Sequence, residues 1–182
     1  MTIKYLKEDE VEKLLSNIPQ NSEVYSAVLL MWLTGARVSE VLSLRREHVD
    51  LDTKTLYIPT LKRRRKGQLR ILPIANRRLT DLLQKLTTGK KPNDILIPIS
   101  RQAVWKALKM AAKNAGIPVE KVHPHTLRHS FAIALLRSGA PTPVLQRTLG
   151  HAALQSTQIY LELSGEDLAP FLKKLNGKEK KK

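Results

Sequence analysis

Between His123 and Tyr160 the chain reads HPHTLRHSFAIALLRSGAPTPVLQRTLGHAALQSTQIY, a stretch that sets imidazoles, a guanidinium and a phenol among apolar helical sequence. Pro124 suits the first turn of a helix, so His125, Arg128 and His129, three and four residues apart, share one helical face. Leu127, Phe131, Leu135 and Leu136 make a neighbouring stripe for the core. Gly139 ends this helix. Thr142 and Pro143 then serve as N-cap and first residue of the next one, which Gly150 stops just before His151. Ser156 can cap one more short helix, with Tyr160 a turn later. Singly these residue types are ordinary, because a Tyr packs, a His near a helix terminus caps, and an Arg before an apolar run is solvated. Together they suit a phosphodiester. Cations and imidazoles stabilise the charge that builds on non-bridging oxygens while a phenol oxygen attacks, and no metal need take part.

The boxes HTLRH and LGH, a Tyr nine residues after the latter's His, and TGARVSE earlier in the chain closely resemble the catalytic domain of the tyrosine recombinases, the integrase and Xer-type site-specific recombinases. The resemblance runs from about Leu6 to about Leu175. It implies an α+β fold, mainly α-helical, with a small three-stranded antiparallel sheet at one edge. The activity it implies is site-specific breakage and rejoining of double-stranded DNA through a 3′-phosphotyrosyl intermediate, with no metal and no other cofactor. Arg37 and Arg128 would clamp the scissile phosphate, since guanidinium forks grip two oxygens and stay ionised. Tyr160 would be the nucleophile, eased toward phenolate by nearby cations, and His125 and His151 would hydrogen-bond the phosphate or shuttle protons, His125 being the base toward Tyr160. The family's catalytic Lys lies in the hairpin turn, here Lys62-Arg63-Arg64-Arg65-Lys66-Gly67. Lys62 fits the spacing from Arg37 and Lys66 is the second choice. Such a Lys, its pKa lowered by neighbouring Arg, would protonate the leaving 5′ oxygen. The remaining basic residues of the region, Arg63, Arg64, Arg65, Lys66 and Arg70, are expected to contact phosphates along the duplex. His129 is expected to be structural, and His123 is left without a role.

The elements that must position these groups follow from patterning. Val11, Leu14, Leu15 and Ile18 keep helical spacing behind Glu8, Asp9 and Glu10, a first surface helix. Ser22 caps a second, buried helix through Val24, Val28, Leu29, Trp32 and Leu33, which Gly35 ends. Arg37 stands just past that break, and Val38, Val41, Leu42 and Leu44 start a third helix. Thr55 to Leu61 and Leu69 to Ile74 read as a hairpin, with Val49 and Leu51 in a small edge strand. Asn76 caps a helix to Leu86, and Ser100 caps another with Val104, Trp105, Leu108 and Ala112 facing in, stopped by Gly116. Beyond Tyr160, Ser164 caps a last helix striped with Leu168, Phe171, Leu172 and Leu175.

With 182 residues the chain suits one main domain, expected over 1–176, followed by a basic tail over 177–182 expected to be disordered. The N-terminal core-binding domain of the family is expected to be absent. Lys and Arg number 32 against 16 Asp and Glu, which favours a polyanionic partner, and the absence of Cys removes disulfides and thiolate metal sites. No apolar run approaches the roughly 18 residues of a spanning helix and no signal peptide opens the chain, so a soluble cytoplasmic protein without a membrane or small-molecule partner is expected. His125 and His129 are spaced like zinc ligands on a helix, but no Glu lies between them. A non-catalytic helix-turn-helix module over Leu127 to Leu149 explains the charge but not Tyr160 with both His boxes, and a related Tyr-based topoisomerase uses the same chemistry without pairing two sites. The last helix can dock on its own body or on a neighbouring protomer. The resemblance implies the second, and with it a tetramer on two paired sites.

Overall fold

In a computed structural model the described residues are 4–60 and 68–150. Among them the elements run α1 (Glu8–Ser16), α2 (Glu23–Thr34), α3 (Val38–Leu42), β1 (Val49–Asp50), β2 (Thr55–Pro59), β3 (Leu69–Pro73), α4 (Arg77–Thr87), α5 (Arg101–Asn114), α6 (Pro124–Arg137) and α7 (Thr142–Leu149), with short 3-10 turns at Arg46–His48 and Val119–Lys121. This is the expected α+β fold, mostly helical. The expected assignments at residues 151–182, among them the last helix and the tail, and the hairpin turn over 61–67 lie outside the described residues.

Local chemistry sets the helix starts. Ser22, Asn76 and Ser100 each accept a hydrogen bond from the backbone N–H three residues on, satisfying one of the orphan donors at the N-termini of α2, α4 and α5. Helix α2 is apolar nearly all round and packs against α1, α3, α4, α5 and α6, so it is the centre of the molecule. The main core gathers Val11, Leu14, Leu15, Val28, Leu30, Met31, Leu83, Leu108 and Leu127 around it, and a second cluster of Ala132, Ile133, Leu145 and Leu149 lies between α6 and α7. Of the α6 stripe expected from sequence, Leu127 joins the main core, while Phe131, Leu135 and Leu136 pack only partly buried against the second cluster. Helix α7 begins at Thr142, with Pro141 as its N-cap, one residue earlier than the spacing suggested. Trp105 is a correction. It is half exposed on α5, where Val104, Leu108, Ala111 and Ala112 make the inner face.

The sheet is antiparallel in the order β1-β2-β3. Val49 pairs with Leu56, and Leu56 with Leu72, so the expected third strand exists at the edge. Side chains alternate across a strand, and the register puts Leu56, Ile58, Arg70 and Leu72 on the buried face while Leu69 and Ile71 point out. Both faces of β3 therefore carry apolar side chains, and Arg70 lies beside Leu72 on the inner one.

Candidate active site

Three helix ends make the site. Helix α2 stops at Gly35, whose φ of 62° is left-handed, and the chain re-enters a helix with Arg37 as the N-cap of α3. Glu40, three residues on, fixes that junction twice. Its Oε2 accepts from the Arg37 backbone N–H at 2.9 Å and its Oε1 from Arg37 Nη1 at 2.8 Å. Glu40 is 1% exposed. Burial pushes its carboxyl up, but Arg70, then the N–H and guanidinium of Arg37, outweigh that and hold it below the usual carboxylate range.

Arg128 sits on α6 and is buried, 4% exposed. Its Nη1 donates to the Gly35 carbonyl at 2.7 Å and its Nη2 to the Leu149 carbonyl at 2.6 Å. Both acceptors lie at helix C-termini, where carbonyls lack an intrahelical donor and the backbone dipoles favour a cation. One guanidinium thus joins the end of α2, two residues before Arg37, to the end of α7, two residues before His151. His125, one turn before Arg128, has its imidazole pKa lowered first by burial and then by the positive charges of Arg37, Arg128 and Arg101. The structure therefore brings Arg37, His125 and Arg128 together. A neutral imidazole beside cations is suited to accept a proton at neutral pH.

His129 lies half-buried deeper on α6, and burial with the fields of His125, His123 and Arg128 pushes it down to about 4. It is a neutral, internal imidazole, in keeping with a structural part. His123, left without a role on sequence, caps α6, its Nδ1 accepting from the Thr126 N–H at 3.3 Å. The position just before Pro124 was the signal, since Pro favours the first helical turn and puts the preceding residue at the cap. His123, Pro124 and His125 line a groove of about 570 Å³ whose other walls are Val38, Arg101, Gln102 and Trp105.

Arg70 is corrected. Expected to meet phosphates on the surface, it is 7% exposed on the inner face of β3, and its Nη1 donates to the Leu149 carbonyl at 2.9 Å while its Nη2 reaches Glu40 Oε2 at 3.2 Å. Its strand register turns it inward, where those two acceptors replace solvent. Lys62, Arg63, Arg64, Arg65, Lys66, His151 and Tyr160 lie outside the described residues. Among the described residues no three His, Cys, Asp or Glu side chains stand together as a metal site requires, and no helix is long and apolar enough to cross a membrane.

The sequence relatives and the fold agree on a family. A model described as the phage integrase family matches residues 4–166. Tyrosine recombinase XerA of Pyrococcus furiosus is 34% identical, over 95% of this chain and 62% of its own length. Tyrosine recombinase XerD of Vibrio cholerae is 36% identical, over 91% of this chain and 59% of its own. The chain therefore spans about three fifths of the length of these curated relatives. Among solved structures, a XerA recombinase has a TM-score of 0.75 at 29% identity, covering 96% of this chain and 64% of that one. The catalytic domain of bacteriophage HP1 integrase shares the fold, with a TM-score of 0.70 at 22% identity over 94% of this chain and 95% of that one. XerH, solved bound to its difH substrate in a pre-cleavage complex, has a TM-score of 0.68 at 26% identity over 91% of this chain and 52% of that one. Carrying the matched motifs on this fold, the chain belongs to the phage integrase family, the tyrosine recombinases.

Proposed function

We propose that this chain carries the strand-cleaving and rejoining chemistry of a site-specific recombinase acting on double-stranded DNA. The observation that supports this most is the convergence of Arg37, His125 and Arg128 at the junction of three helix ends, two guanidiniums and a neutral imidazole on a chain whose Lys and Arg exceed its acids by 16. A relative solved on its DNA substrate supports DNA as the partner. In the proposed reaction the Tyr160 hydroxyl oxygen bonds to phosphorus as the bond from phosphorus to the 5′ oxygen breaks. His125 takes the phenol proton, and Lys62, or Lys66 in its place, gives a proton to the departing 5′ oxygen. The guanidiniums of Arg37 and Arg128 stabilise the charge on the non-bridging oxygens, and His151 hydrogen-bonds the same phosphate. One ester replaces another, so attack by a second 5′ hydroxyl reverses the step and rejoins the strand.

Arg63, Arg64, Arg65 and Lys66 are proposed to contact backbone phosphates beside the cut, the part they share with most basic residues on DNA-binding surfaces. The stripe Leu168, Phe171, Leu172 and Leu175 is proposed to dock on a neighbouring protomer in a tetramer on two paired sites, because four apolar side chains left in water would cost several kcal/mol, at roughly 1.5 to 3 kcal/mol each. Deleting residues from Ser164 onward should then leave DNA binding and abolish assembly. Acting on DNA, the protein is proposed to work in the cytoplasm.

The test uses a pool of nicked duplexes with randomised sequence around the nick, incubated in a chelator, with denaturant-stable protein–DNA adducts recovered and sequenced. We expect an adduct enriched in one site from the unsubstituted chain and none from Tyr160→Phe. An equal adduct from Tyr160→Phe would refute the assignment, and DNA binding with no adduct at all would favour a non-catalytic module.

A further inference from the structure

Arg70 is a basic residue that faces away from solvent, and it touches two of the elements that build the site. Through Nη2 it meets Glu40, the residue that also holds the Arg37 backbone and guanidinium, and through Nη1 it meets the Leu149 carbonyl that Arg128 holds as well. It does so from β3, the strand that follows Lys62 and Lys66 in the sequence. We infer that Arg70 is a positioning residue of the phosphate clamp, a brace that fixes the hairpin, the Arg37 junction and the end of α7 relative to one another. This rests on the recombinase reading of the site.

Charge and shape both point to this part. Glu40 stands between Arg37 and Arg70, so Arg70 shares the buried carboxylate, and without it that carboxylate would pair with Arg37 alone and draw its guanidinium out of place at the reacting phosphate. A guanidinium is a planar fork that reaches two acceptors in fixed directions, which an ammonium on a flexible stem does not do. The space for it is kept by Gly150, where an added Cβ would lie 2.9 Å from Arg70 Nη1 and 3.4 Å from its Cδ. Stability by itself does not call for this arrangement, since a buried ion pair is often replaced by packed apolar groups without loss.

The experiment compares the full chain with Arg70→Lys and Arg70→Met on the nicked duplex selected by the unsubstituted chain. DNA affinity is read by fluorescence anisotropy across a salt series, and both the rate constant and the final amplitude of adduct formation are read at saturating DNA. We expect Arg70→Met to keep affinity and salt slope while its rate constant falls roughly 10²-fold, the loss that follows from misplaced catalytic groups, at unchanged amplitude. Arg70→Lys, which keeps the charge but not the fork, should fall by less and still be slower than the unsubstituted chain. Each alternative has its own signature. A phosphate contact would lower affinity and reduce the salt slope by about one, with the saturated rate constant intact. A merely structural part would lower the amplitude at an unchanged rate constant, and an Arg70→Lys protein as fast as the unsubstituted chain would show that the fork is not needed. Any of these results overturns the inference while leaving the recombinase reading in place. No adduct from the unsubstituted chain would overturn both.

Discussion

Gly35 lies where the core meets the site, and replacing it with Ala separates strain from packing. Its φ of 62° costs a side-chain-bearing residue about 1–2 kcal/mol. Its Cβ would also overlap Phe131 Cδ1, lying 2.7 Å from Phe131 Cε1 and 2.9 Å from Leu149 Cδ2. Forcing extra volume into a packed region costs a further 1–3 kcal/mol or so, for a total of about 2–5 kcal/mol. Gly116 is the control, because its φ is +67° but an added Cβ meets nothing within 4 Å, so Gly116→Ala should cost only the strain. Urea unfolding followed by circular dichroism should place Gly35→Ala roughly 1–3 kcal/mol below Gly116→Ala, a large share of a stability that is usually about 5–15 kcal/mol. The Gly35 and Leu149 carbonyls are both acceptors of Arg128, so pushing Phe131 and Leu149 aside should also slow DNA cleavage under conditions where the variant is still folded. Equal costs for the two substitutions would refute the packing of α6 and α7 on Gly35 and, with it, the account of how Arg128 is held.

Two further outcomes follow from burial and charge. His129 titrates at about 4 in the folded chain against an ordinary 6.5, so the unfolded chain binds its proton first, and the stability that neutral His129 confers is complete above pH 6.5 and is lost as pH falls toward 4. His129→Gln should flatten that part of the dependence when urea midpoints are compared between pH 4 and 7, and an unchanged slope would mean that the imidazole is not held neutral. On α5, Leu108→Ala should cost about 2–5 kcal/mol as a buried truncation, whereas half-exposed Trp105→Ala should cost clearly less, and the reverse order in the same unfolding assay would mean that the helix is turned the other way.

What the sequence disclosed was local. Ser22, Asn76 and Ser100 were legible as caps because each bonds a backbone N–H only three residues away, and Gly35 and Gly150 as stops because a left-handed residue ends a helix within one turn. Arg37, His125 and Arg128 were legible as residue types in a motif. How they are held was not. Arg128 finds its carbonyls 93 and 21 residues away, and Arg70 finds its partners 79 and 30 residues away, separations that leave no periodic trace. On β3 the residue type was misleading, since Arg70 was expected to meet phosphates and the pairing register turns it inward with Leu72 instead. Trp105 was misplaced for a related reason. A helical stripe fixes which residues share a face but not how far the cover over that face extends.

In the proposed reaction Tyr160 forms the covalent bond to DNA. The adduct trapped on the nicked duplex should be digested with protease and nuclease, and the nucleotide-bearing peptide sequenced by mass spectrometry. We expect a single modified residue, Tyr160, joined to a 3′ phosphate while the other strand end is a free 5′ hydroxyl. A nucleotide found on Tyr5, Tyr25 or Tyr57, or a link to a 5′ phosphate, would contradict it.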